Sequence, residues 1–440
     1  MDTSRREHIV ALDKAQVWHP YTDMDRYRKE SDPLVIERAQ GVRLYDADGR
    51  SYLDGNASWW VSLLGHNHPR LVAALQRQAE RLCHTSLAGV THEAAAELAH
   101  ALCQVAPPDL SHVFYSDNGS TAVEVALKLC LQYWSQNGRS QRRAFVALEG
   151  AFHGETLGVT ALGGVELFRR PFVGSLLEVW HVPSPAAQGD EERAVASLVK
   201  LLAERSDEIA AVVLEPLVQG AAGMRIYAPE FLRVARELCD RHDIFLVFDE
   251  VFSGYGRTGT FWACEQAPVA PDLLCTAKGF TGGLLPMAAT LVTRRVFEGF
   301  LGGPERAFYY GHTFCGNPLG AAVAREVLRI FEGERILEHA RPKAERIART
   351  FRELAEQPGV ERARSLGMIG ALDLVGEASY LAQAGWRVCE EARARGAYLR
   401  PLGNVIYVTP ALNISDTDLE CLLEIVRESV AAATSGGNGS

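Results

Sequence analysis

The sequence predicts an α/β protein, with a large domain on a doubly wound, mostly parallel sheet and a smaller α+β domain beside it. Helical and strand patterns alternate from residue 69 to about 330, and strand–helix–strand order implies a parallel sheet between helical layers. The run from Ile244 to Phe248 is continuously apolar and rich in branched and aromatic residues, the pattern of a strand buried on both faces. A second short run, Leu273-Leu274-Cys275, ends close to Lys278. The chain has 440 residues and is 47% hydrophobic, enough for a large core and for two domains.

In chain order, residues 1–16 read as a short helix, and Trp18-His19-Pro20-Tyr21-Thr22 breaks it. Residues 41–54 read as a hairpin, because Asp48-Gly49 between alternating apolar residues is a strong turn signal. Asn56-Ala57-Ser58-Trp59-Trp60 follows. His66 and His68 are candidate metal ligands, but no further ligand lies near, so a turn before a helix from Pro69 is the better reading. Helices are expected at 69–83, 92–105, 121–137 and 229–242, and strands at 111–116, 143–149 and 209–215. After Pro318 a long helical stretch leads to strands at 364–374 and 404–409 and a closing helix at 416–432. The expected division is 69–330 for the large domain and 331–433 for the small one, to which 1–68 contribute, with 434–440 a disordered tail.

A formal net charge of −10 argues against nucleic-acid or anionic-membrane partners. The nine cysteines are scattered without metal-ligand spacing, as in a reduced, cytoplasmic protein, and no metal site is expected. The polar start, Met1-Asp2-Thr3-Ser4-Arg5-Arg6, precedes no apolar run, so neither signal peptide nor membrane span is expected.

The chemistry-bearing segments begin with Asp249 and Lys278. A carboxylate at the mouth of a buried strand is costly unless paired, and a lysine just past a second strand is an odd place for a solvated charge. The pair suits pyridoxal phosphate (PLP), with the lysine as Schiff-base amine and the acid on the ring nitrogen. It also suits a structural ion pair. Asp117-Asn118-Gly119-Ser120-Thr121 marks a strand end and a helix start, which is a phosphate site or an ordinary N-cap. Phe152 and His153 follow a strand, where an aromatic stacks on a flat cofactor or simply packs. Gly311-His312-Thr313 and Gly316-Asn317-Pro318 form a polar loop able to donate to a phosphate. Gly254-Tyr255-Gly256-Arg257-Thr258-Gly259 matches the dinucleotide fingerprint, but that motif opens a helix after the first strand of its unit, and here it does neither. Taken together, phosphate turn, aromatic, acid and lysine occur in order on one sheet and point to PLP.

These motifs, with Glu215-Pro216, Gln219-Gly220 and Lys278-Gly279, make the chain resemble the class III, fold-type I PLP-dependent aminotransferases over nearly its whole length. Trp18-His19-Pro20-Tyr21-Thr22, Ser58-Trp59-Trp60, Thr281-Gly282-Gly283 and Arg400-Pro401-Leu402-Gly403 with Tyr407 resemble the biotin-synthesis branch of that family. The resemblance implies PLP on Lys278, Asp249 at its ring nitrogen, and Gly119 and Ser120 at its phosphate. Thr313 would join them from a partner subunit, so a homodimer is implied. His153 and His312 would also border the cofactor, and Phe152 would lie against its ring. Tyr21, Trp59, Trp60, Phe152, Gly311 and Tyr407 would line the substrate site, and Arg400 would hold a substrate carboxylate. The implied acceptor is 8-amino-7-oxononanoate, and the implied donor is S-adenosylmethionine or lysine. The alternative is another ω-amino-acid or diamine aminotransferase. Two positions depart from the pattern: Phe152 stands where some members have tyrosine, and His312 where adenosylmethionine users often have proline.

Overall fold

The computed structural model describes residues 3–186, 190–376 and 381–435. Its central sheet has seven strands in the order Leu110–Ser116, Ala288–Thr293, Leu273–Thr276, Phe245–Asp249, Ile209–Leu214, Ala144–Leu148, Val179–Val182. The three central strands, Leu273–Thr276, Phe245–Asp249 and Ile209–Leu214, are buried at every position, which is why they read as unbroken apolar runs. The sheet is parallel except for Ala288–Thr293, which runs against both neighbours. That strand and Val179–Val182 escape the sequence reading. The first opens with two alanines, and the second has four residues, three of them only half buried.

The expected helices form, as Pro69–Arg81, Glu93–Val105, Gly119–Gln136 and Glu230–His242. His68 stands at the N-cap position of the first of these without a side-chain capping bond, and His66 shares a 2.8 Å hydrogen bond with Asp54. Among the described residues no group of three potential metal ligands occurs, and no helix is long and apolar enough to cross a membrane. The Gly254–Gly259 segment opens no helix. It turns through Tyr255 and Gly256, both at positive φ, and delivers buried Arg257 to the carbonyl of Pro410.

Three small sheets complete the described fold, one of them only the short antiparallel pair Val218–Gln219 with Arg225–Ile226. Ile36–Gln40, Arg43–Asp46 and Ser51–Asp54 form an antiparallel ribbon, and Ala397–Tyr398 joins its last strand in parallel. The segment expected as one strand at 364–374 is a hairpin, Val360–Leu366 with Ile369–Leu374, extended by Val405–Val408. Gly367, at φ +54°, makes the turn that splits it. The closing helix runs Asp416–Ser435, so Thr434 and Ser435 are helical rather than tail. Alanines at 431–433, strong helix formers, carry the helix past the expected end to Ser435. The rest of the expected tail, 436–440, lies outside the described residues. Trp60, Phe252, Val405 and Tyr407 form a satellite core that packs the three-stranded sheet against the carboxyl ends of the large sheet.

Candidate active site

Strands Phe245–Asp249 and Leu273–Thr276 are adjacent and parallel, with Asp249 opposite Cys275. Asp249 and Lys278 therefore leave the same edge of the sheet, and both line a cavity of about 380 Å³. Gly119, Ser120, Phe152, His153 and Trp60 line it too. This is the carboxyl-end crevice where open α/β sheets bind ligands.

Asp249 is 5% exposed, and its Oδ1 accepts from the N–H of Val251 at 3.0 Å. Its Oδ2 lies 2.8 Å from Nδ1 of His153, while His153 Nε2 is buried without a partner. Burial alone would depress the His153 imidazole, but the hydrogen bond and charge of Asp249 hold it above its ordinary value. The neighbouring Glu250 points elsewhere: it accepts from Ser253 Oγ and from the N–H groups of Ala263 and Cys264.

Lys278 sits at φ +48°, a conformation uncommon for a residue with a side chain. Gly279 follows because a Cβ there would stand 2.2 Å from Leu63. Burial drives the Lys278 amine below its ordinary value, and the charges of Asp249 and Glu215 oppose this only in part. Its Nζ lies 5.1 Å from the centre of the Trp60 ring.

At the phosphate turn, Asn118 Oδ1 accepts from the Thr121 N–H, and Thr121 Oγ1 accepts from the Asn118 N–H, closing a capping box. The N-cap reading of this turn is therefore real. It does not use the N–H groups of Gly119 and Ser120, which have no intrahelical acceptor. A Cβ on Gly119 would stand 2.7 Å from Val251. These features fit PLP: an open helix N-terminus for its phosphate, a buried acid for its ring nitrogen, and a depressed lysine amine for its aldehyde.

Glu215 entered the sequence reading only as part of a family motif, with no role assigned to it. It follows an all-apolar strand just as Asp249 does, and that signal could have found it. It accepts from the N–H groups of Phe152 and Gly220, and burial pushes its carboxyl up to about 7.

Apart from Gly311, the expected substrate residues gather around Trp60 and Phe152 of this cavity or in contact with that cluster. Trp59 and Trp60 stand on the Ala57–Trp60 turn. Trp60 Nε1 donates to the buried Tyr407 hydroxyl at 3.2 Å. The Arg400 guanidinium carbon lies 4.4 Å above the Trp59 ring, and the Tyr21 ring meets Trp59 edge-on at 5.5 Å. Tyr21 also donates to Glu155. Gly311, His312 and Thr313 are not among the residues lining the cavity of this chain. His312 instead pairs with Asp117 at 2.7 Å and with the Tyr310 hydroxyl at 2.8 Å, tying that loop to the phosphate turn.

The fold and the lysine–acid–phosphate arrangement define a PLP-dependent transferase of fold type I. The aminotransferase class III family model matches residues 26–430, and the chain belongs to that family. The adenosylmethionine-8-amino-7-oxononanoate aminotransferase of Nitratidesulfovibrio vulgaris is 44% identical over 99% of this chain and 83% of its own length. The crystal structure of the enzyme of that name from Methanocaldococcus jannaschii superposes with a TM-score of 0.93 at 34% identity, covering 97% of this chain and 99% of the other. A PLP-bound amine transaminase from an uncultivated Pseudomonas species superposes with a TM-score of 0.88 at 30% identity, covering 95% and 99%. The chain is a PLP-dependent aminotransferase.

Proposed function

We propose that this enzyme transfers an amino group to 8-amino-7-oxononanoate, giving 7,8-diaminononanoate for biotin synthesis, with S-adenosylmethionine as the donor. The observation that carries the acceptor is Arg400 over Trp59, at the rim of a wall formed by Trp60, Tyr407 and Tyr21. A long apolar chain ending in one carboxylate suits an aromatic wall closed by arginine, whose planar fork grips a carboxylate in a way lysine cannot. The printed names of the relatives support both the acceptor and the donor. Lysine is the competing donor.

When bound, PLP serves as the electron sink that lets an amino group move between two substrates. The protein supplies the rest. Lys278, with its amine depressed by burial, takes and returns the proton at the reacting carbon. Asp249, held by His153, keeps a proton on the ring nitrogen. Gly119 and Ser120, at the open helix N-terminus, would hold the phosphate. Phe152 lines the cavity where it would face the ring, and Trp60 and Phe252, packed together, would keep water from the Lys278 side.

A homodimer completes the site. Gly311, His312 and Thr313 lie outside this chain's own cavity, and the same loop exposes Tyr309 at 80% and Phe314 at 58%. A second copy would cover those rings and receive the loop. The nine cysteines all stand free, which supports a reducing, cytoplasmic setting.

A substrate panel tests the acceptor. 8-Amino-7-oxononanoate should be preferred over the keto partners of ornithine, 4-aminobutyrate and diamines. Preference for any of those would assign the chain to another ω-aminotransferase branch.

A further inference from the structure

The turn that presents both tryptophans is wound left-handed. Ala57, Ser58, Trp59 and Trp60 have φ of 45°, 45°, 66° and 76°. Side chains with a Cβ disfavour that region, and such turns persist only where the surroundings over-determine them. On one flank, Asp54 accepts from Ser58 Oγ at 2.8 Å and pairs with His66. On the other stands Asn56, 1% exposed.

Asn56 occupies a gap between two chain segments. Just before it, Gly55 donates to the Tyr398 carbonyl at 3.0 Å and accepts from the Thr409 N–H at 2.8 Å, bridging the two segments with its main chain. At Asn56 the main chain turns away, and its carbonyl accepts from the Trp60 N–H at 2.8 Å. The side-chain amide continues the bridge. Its Oδ1 accepts from the Arg400 N–H at 2.7 Å, and its Nδ2 donates to the Tyr407 carbonyl at 3.1 Å. An amide carries both a donor and an acceptor, so it can replace a peptide group here. One buried side chain thus joins the turn bearing Trp59 and Trp60 to the two residues they face, Arg400 and Tyr407.

We propose that Asn56 is the positioning residue that aims Arg400 over Trp59 and so selects acceptors bearing a terminal carboxylate. This rests on the reading of Arg400 given under Proposed function. The Asn56 side chain bonds the main chain of Arg400 and of Tyr407, whereas Trp60, which faces Lys278, is held by the Asn56 carbonyl that a substitution leaves in place, so the change falls on the Arg400 end of the site.

The test uses PLP-loaded Asn56→Leu, Asn56→Asp, Arg400→Ala and wild type. Each is assayed with 8-amino-7-oxononanoate and with its methyl ester, which removes the carboxylate charge. Asn56→Leu should raise KM for the acid by ~10- to 100-fold, the scale of a misplaced positioning group. It should leave KM for the ester and the single-turnover rate with the amino donor as in wild type. Calorimetry with nonanoate, a non-reacting carboxylate, should show the same loss of affinity. Asn56→Asp keeps the oxygen that receives the Arg400 N–H but faces the Tyr407 carbonyl with a carboxylate, so its loss should be smaller. An equal loss for acid and ester, a parallel loss in the donor half-reaction, or an unchanged KM for the acid would overturn the proposal. If Asn56→Leu does not fold, Asn56→Asp decides, and failure of both to fold overturns it by making Asn56 purely structural. If Arg400→Ala itself fails to distinguish acid from ester, the reading of Arg400 falls first.

Discussion

Asp249 Oδ2 and His153 Nδ1 lie 2.8 Å apart, and the two side chains are almost sealed from water. A buried carboxylate is tolerated because His153 and the Val251 N–H satisfy it, which leaves its charge available to a cationic ring nitrogen. Asp249→Asn should keep the fold and bind the cofactor, since the lysine and the phosphate turn are untouched. The amide cannot hold that nitrogen protonated, so the half-reaction should slow by ~10²-fold or more. Stopped-flow absorbance with the amino donor checks this, and a wild-type rate would make Asp249 a structural acid.

Lys278→Ala removes both the covalent anchor and the proton carrier. Turnover should fall well beyond the ~10²–10⁴ expected from losing general acid–base catalysis alone. PLP should still bind through the helix N-terminus at Gly119, seen as cofactor retained on desalting but free of covalent linkage. Turnover within about tenfold of wild type would contradict the assignment.

Glu215 gives a pH signature. Its ordinary carboxyl value is 4.5, and burial raises it to about 7 in the folded chain. Between those values the folded protein keeps a proton that the unfolded chain has lost, so stability falls as pH rises through that window and levels off above about 7. Glu215→Gln carries no such proton. In urea denaturation of the cofactor-free proteins, the variant should gain on wild type by about 3 kcal/mol from the bottom of the window to the top. Parallel stability profiles would mean that Glu215 ionises normally.

Arg400→Ala should act on one half-reaction. Losing one partner of a buried charge pair costs ~2–5 kcal/mol, so acceptor binding should weaken on that scale while the donor half changes much less. Single-turnover measurements of each half, mutant beside wild type, read the asymmetry. Equal losses would mean that Arg400 also serves the donor or supports the fold.

The sheet was legible because its central strands are buried on both faces and so spell unbroken apolar runs. Asp249 and Lys278 were legible for a related reason, since charge at the end of such a run needs an explanation. The hairpin at Gly367 was not, because the residues on either side, Val360–Leu366 and Ile369–Leu374, both suit a strand and a single glycine marks the break. The left-handed turn at Ala57–Trp60 was beyond reach too. None of its residues favours positive φ, and of the bonds around it the one from Ser58 to Asp54 is local while those of the preceding Asn56 run to residues 400 and 407, far along the chain. Glu215 could have been found by the rule that found Asp249.

Amino transfer to 8-amino-7-oxononanoate can be followed in two separated half-reactions. The most direct measurement offers S-adenosylmethionine and lysine separately to the purified PLP form, removes the donor, then adds 8-amino-7-oxononanoate and follows the product by mass spectrometry. S-adenosylmethionine should convert the cofactor to its amino form, and 7,8-diaminononanoate should then appear, one per active site. Conversion of the cofactor without any 7,8-diaminononanoate would contradict the proposed reaction.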